Sequence, residues 1–214
     1  MAVKWAVASG NWSAGATWNG GVVPTSDDDV YANGHTISNL PNGVVVKSLR
    51  NDANDDYSIV NGGHFEQPNA STNVVTADII ANSGYVLRTG TNNNNGGTIT
   101  INGNIISNTT RAITTSNVSR THTFIVNGNV SLADGCAIFG SDYGTFKFTI
   151  VGNLVAENNA HIYDGSTNNH ATPLFTYAGN VTNVTWSSVA QTITTCNGSG
   201  NWQLSGNKTI TTAN

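Results

Sequence analysis

The sequence predicts an all-β fold: a right-handed parallel β-helix (a β-solenoid) with coils of about 25 residues and an N-terminal cap. Three observations lead there. Apolar residues fall in short bursts of Val, Ile and Phe, which are strand formers, and strong helix formers in a sustained 3.6-residue period are absent. A Gly-Asn pair recurs five times in the second half, at Gly103-Asn104, Gly128-Asn129, Gly152-Asn153, Gly179-Asn180 and Gly206-Asn207, with glycines 25, 24, 27 and 27 residues apart. The residues flanking each pair also repeat in kind.

Four residues before each glycine stand Ile99, Phe124, Phe148, Phe175 and Trp202, and two before it Ile101, Val126, Ile150, Tyr177 and Leu204. Two after it come Ile105, Val130, Leu154 and Val181, with Lys208 breaking the column. Alternation with polar neighbours puts the first two positions on one face of a strand. The Gly-Asn corner supplies a bend, since both residues tolerate positive φ, and a second short strand follows it. Coils stacked about 4.8 Å apart would then turn each column into a core ladder. A sandwich or jelly roll places turn signals every 8–12 residues or so, but gives no reason for the same residue class to return at one offset five times.

Taken in order, residues 1–28 read as the cap segment. In "GNWSAGATWNGGVVPTSDDDV" (Gly10 to Val30), Trp12 and Trp18 sit among glycines and small polar residues. They suit either a sugar platform or a plug. An apolar column that must end somewhere favours the plug, with Pro24 and Asp28 turning the chain into its first strand and the aspartates capping backbone donors. Residues 29–97 read as less regular coils, joined at Asn33-Gly34, Asn61-Gly62 and Ser83-Gly84, with "TNNNNGG" (Thr91 to Gly97) as an exposed loop. Residues 98–214 are the regular coils. The sequence stops just after the fifth corner without a polar cap, so a partner chain over that end, or a continuation of the chain, is expected.

Charged residues make up 9% of the 214, against roughly 25% in a typical soluble protein, and the net charge is −4. The eight basic residues, Lys4, Lys47, Arg50, Arg88, Arg111, Arg120, Lys147 and Lys208, are scattered singly, so no nucleic-acid partner is expected. No apolar run approaches the ~20 residues that span a bilayer, and "MAVKWAVASGNW" lacks the apolar run of a signal peptide, so no membrane partner is expected either. Cys136 and Cys196 could form one bridge, but two separate small core residues fit better.

The chemistry on offer is sparse. A glycosidase needs two carboxylates facing one groove. Asp134, Asp142, Glu157 and Asp164 fall in different columns of the repeat, and Glu66 and Asp78 stand isolated. "NDANDD" offers oxygen ligands at Asp52, Asn54 and Asp56, like the start of a calcium loop, but lacks the following Gly and late Glu; a polar turn is the better reading. His35, His64, His122, His161 and His170 show no metal spacing, although His35 and His64 each follow a glycine and suit stacking on neighbouring coils. Aromatics four before the glycine share a face with aliphatics and read as core, not as a carbohydrate stripe. No catalytic residue, metal or cofactor is expected.

The segment "GNWSAGATWNGGVVPTSDDDVYANGHTIS" carries a GxW…TWxGGxxP…DDxV…GHxI pattern through Gly10, Trp12, Trp18, Gly20, Gly21, Pro24, Asp28, Val30, Gly34, His35 and Ile37. It resembles the opening segment of β-helical structural proteins of tailed bacteriophages and of bacterial adhesin-like proteins. The resemblance implies a capping role for the tryptophans and assigns no catalytic residue. It implies a non-catalytic virion protein, a head decoration or a fibre or spike component, made in the host cytoplasm and assembling on other virion proteins as a homo-oligomer, with a trimer the expectation. The missing signal peptide favours this over a bacterial surface adhesin. A glycan- or receptor-binding adhesin, on phage or cell surface, is the alternative, and a polysaccharide-degrading tailspike enzyme the second.

Overall fold

The computed structural model describes residues 2–68, 70, 72–89, 97–109, 111–115, 121–134, 136–140, 145–152, 154–156, 161–164, 174–177, 181–182, 191–195 and 208–210. The chain winds as a parallel β-solenoid, and each coil as far as residue 164 gives a segment to a long sheet and then one to a shorter sheet. β1 (Val3–Trp5) and β2 (Gly10–Asn11) open the stack, followed by β3 (Asp29–Tyr31) with β4 (Thr36–Ser38), β5 (Val44–Arg50) with β6 (His64–Gln67), and β7 (Thr72–Ala81) with β8 (Leu87–Thr89). From there the long-sheet segment is split in two. β9 (Thr98–Ile101) and β10 (Ile105–Ser107) precede β11 (Ile113–Thr115), and β12 (Thr121–Val126) and β13 (Val130–Leu132) precede β14 (Ala137–Gly140). β15 (Thr145–Ile150) and β16 (Leu154–Ala156) precede β17 (His161–Asp164). β18 (Leu174–Tyr177), β19 (Val181–Thr182), β20 (Gln191–Thr195) and β21 (Lys208–Ile210) complete the described strands.

Lys4, Val30, Leu49, Ile79, Ile105, Val130, Leu154 and Val181 occupy successive rungs in parallel register, at steps of 26, 19, 30, 26, 25, 24 and 27 residues. Two further columns run beside them. Val44, Val75, Ile101, Val126, Ile150 and Tyr177 are aligned, as are Asn73, Ile99, Phe124, Phe148 and Phe175. Ile99, Ile101, Phe124, Val126 and Ile150 are buried. Burying each such side chain contributes about 1.5–3 kcal/mol, so the columns supply the main favourable term of the fold.

The regular repeat begins one coil earlier than the glycines suggest. Ala77 and Asp78 stand on the rung below Gly103 and Asn104, so "VVTADII" is a repeat unit with Ala-Asp in the Gly-Asn slot. In the preceding coil β5 reaches the same register only after a bulge between Val45 and Ser48.

The corner glycines have a different cause from the one expected. Gly103 and Gly128 do not take positive φ. A Cβ on Gly103 would stand 2.1 Å from the carbonyl oxygen of Ala77, and one on Gly128 would stand 2.2 Å from that of Gly103. Glycine is there because stacked backbones approach too closely for a side chain. Positive φ belongs to the earlier corners, as at Asn33 (51°) and Gly34 (76°).

Two further placements concern the ends of the stack. The segment before residue 29 pairs into the stack, β1 with β3 and β2 with β4, so it winds as the first coil. At the other end the strand beside β18 is β20, with Ile193 opposite Phe175 where the repeat puts Trp202. Ile193 is in turn aligned with Ile210 of β21. The "QTITT" run of β-branched residues takes the rung, through a bulge at Phe175/Thr176. Trp202, Leu204, Asn153, Gly179, Asn180, Gly206 and Asn207 lie outside the described residues.

Candidate functional site

The opening tryptophans face the interior. Trp18 is 1% exposed and Trp12 4%. Their rings meet edge to face with centroids 5.0 Å apart, and Trp12 meets Phe65 at 6.0 Å. The Trp18 indole N–H donates to the Trp12 carbonyl oxygen at 2.8 Å, which satisfies the one polar group of a buried indole. Chain closure explains the placement: Ala6 bridges Trp18, and the Val7 N–H donates to the Thr17 carbonyl. A sugar would find no exposed indole face at either residue.

Below them, Pro24 is buried and Asp28 caps its own turn, accepting from the Thr25 N–H (2.8 Å) and hydroxyl (3.0 Å). Asp29 is buried beside it and accepts from the Lys47 ammonium and the Ser48 hydroxyl, both at 2.6 Å. Burial pushes the Asp29 carboxyl up, but the hydrogen bonds from Lys47 and Ser48 outweigh it and hold the group below its ordinary value.

The acidic run Asn51 to Asp56 sits on an excursion that folds over the outer face of β1, β3 and β5. Both oxygens of Asp52 accept from Arg50, whose guanidinium also lies 4.9 Å from the centre of the Tyr31 ring. The hydrogen bond to Asp52 is the main cause that raises the Arg50 pKa. Asn54 caps the short 3-10 turn Asp55–Tyr57, accepting from the Asp56 N–H, and donates to the Tyr31 hydroxyl. Asp52 and Asn54 are thus engaged in the turn, and Asp56 is exposed. Among the described residues, no three His, Cys, Asp or Glu side chains gather as a metal site would require. Asn54 and Ile59 close the excursion by pairing with each other, and it presents Tyr57, 45% exposed, against half-buried Trp5 with ring centroids 5.6 Å apart.

Glu66 is not isolated. It stands directly opposite Arg88 on the outer face of the short sheet and accepts from it at 2.9 Å, with His64 at 3.2 Å. Burial pushes its carboxyl up, yet the bonds to His64 and Arg88 prevail and lower it. His64 is aligned with Thr36, not His35, and its ring meets that of Tyr85 at a 59° tilt, with centroids 4.7 Å apart. Asp78 is likewise engaged: its Oδ1 accepts from the Asn104 N–H (2.8 Å) and side-chain amide (3.0 Å), and Asn104 Oδ1 accepts from the Asn129 N–H (2.9 Å). A second ladder, missed from the sequence, runs from Thr76 through Asn102 to Asn127. Asn at the position before each of these two glycines was its legible signal.

Cys136 is buried, and its thiol donates to the Asp134 carbonyl. Cys196, Asp142, Glu157 and His170 lie outside the described residues, and the side chains of His122, His161 and Asp164 outside the described side chains. The geometry assembles rung-to-rung ties and sets exposed Tyr57 against half-buried Trp5. No protein-family model, curated protein or solved structure matches the chain.

Proposed function

We propose that the chain is a non-catalytic structural protein of a tailed-phage particle, a head decoration or a fibre or spike component. It assembles as a homo-oligomer, a trimer, on other virion proteins. One observation carries the structural part of this reading: among the described residues, three carboxylates hold one coil to the next. Asp29, Glu66 and Asp78 each accept from a residue on a neighbouring rung, and the Trp12–Trp18 pair is core. The resemblance of the opening segment supplies the virion part. Mass spectrometry of purified particles tests it. The chain is expected among the virion proteins, and its recovery only from the particle-free fraction would sink the reading.

A second reading, a glycan-binding adhesin, draws on Tyr57 and Trp5. Exposed Tyr57 lies against half-buried Trp5, beside the exposed carboxylates of Asp55 and Asp56, on an excursion held by its own hydrogen bonds. Solenoid insertions often carry binding surfaces. Under this reading Tyr57→Ala abolishes retention on a glycan array while leaving the melting curve unchanged. Equal retention of parent and variant would remove it.

A further inference from the structure

Two amide side chains break the apolar interior at the passage from β6 to β7. The alternation of β6 turns Phe65 and Gln67 inward, and that of β7 turns Asn73, Val75, Ala77 and Ile79 inward. Gln67 is 3% exposed and Asn73 1%, and neither end of either amide meets a hydrogen-bonding group of the protein. Both flank one interior corner, separated in sequence only by residues 68–72. The columns they belong to show what is different about this corner. On the long sheet Asn73 is the foot of a column that continues as Ile99 and Phe124, so a small polar residue stands where larger apolar ones fill the coils above. On the short sheet Gln67 lies opposite Thr89, which is itself fully buried.

Four buried amide atoms without partners are an expensive arrangement in an apolar core. Polar lining, and side chains smaller than those filling the same column higher up, are the conditions under which water is held inside a protein. We infer that the Gln67–Asn73 corner is an interior hydration site, holding one or two water molecules between the two amides. There the water bridges the short sheet of one coil to the long sheet of the next.

The test uses the intact 15N-labelled protein. Water–amide cross-relaxation spectra are expected to show contacts from the Gln67 and Asn73 side-chain NH2 groups to long-lived water. A crystal structure is expected to place solvent density within about 2.7–3.2 Å of both amides. The paired variant Gln67→Leu with Asn73→Ile is expected to lose the solvent density and to melt no lower than the parent. Amides bonded to each other or to backbone with no solvent between them would overturn the inference. So would solvent density that persists at the same place in crystals of the paired variant. If that variant fails to fold, the spectra and the density of the unmodified protein decide alone.

Discussion

Individual residues in this chain play different parts from those their chemistry first suggests. Trp18 is fully buried, donates its indole N–H to Trp12, and closes the interior column. Trp18→Ala should therefore destabilise the fold by about 3–5 kcal/mol, read as a lowered midpoint in urea. A loss of ligand binding by an otherwise equally stable protein would contradict this. The role of Gly128 is steric. Gly128→Ala drives a methyl into the Gly103 carbonyl and should cost at least the roughly 1–3 kcal/mol typical of overpacking, measured by the same urea titration. Asp29 and Glu66 set the acid limit. Both have folded-state pKa values below their ordinary 3.8 and 4.5, so each contributes stability that is complete above those values. That stability is lost as pH falls through them toward the lowered folded-state values. Melting temperature should drop on acidification below about pH 4.5, and Asp29→Asn should flatten part of that drop.

Among elements, the Asp78–Asn104–Asn129 ladder is the clearest unit. Asn104→Ala keeps the backbone N–H to Asp78 but removes the side-chain amide donor to it and the acceptor of the Asn129 N–H in a partly exposed setting, so a cost of about 1 kcal/mol is expected by denaturant titration. The ladder also shows what the sequence made legible. Five Gly-Asn pairs with aromatic and aliphatic partners revealed the solenoid, because stacking demands the same residue class on every rung. Ala77-Asp78 was not legible because it contains no glycine, while the physical constraint is a small residue followed by a side-chain oxygen. Asp29 and Ser48 occupy that polar column too, hidden by rung steps of 19 and 30 residues. β20 was missed for another reason. Periodicity placed Trp202 beside Phe175, whereas β-branched Gln191–Thr195 takes that rung. Trp5 and Tyr57, far apart in sequence, become neighbours only once the excursion folds back.

For the molecule as a whole, parallel stacking in coils of about 25 residues makes an elongated body whose stability is a sum of rung-to-rung terms. Light scattering should give a trimer, held together at physiological salt because so few charges contribute. As the structural part of a phage particle proposed above, this solenoid would be present in the assembled virion. Electron cryo-microscopy of purified particles, at a resolution that separates rungs about 4.8 Å apart, tests it most directly. The expected result is parallel β-solenoid density fitted by this chain, docked on the head or tail in symmetric copies. Particles of the same preparation whose every β-solenoid density is fitted by other chains would contradict it.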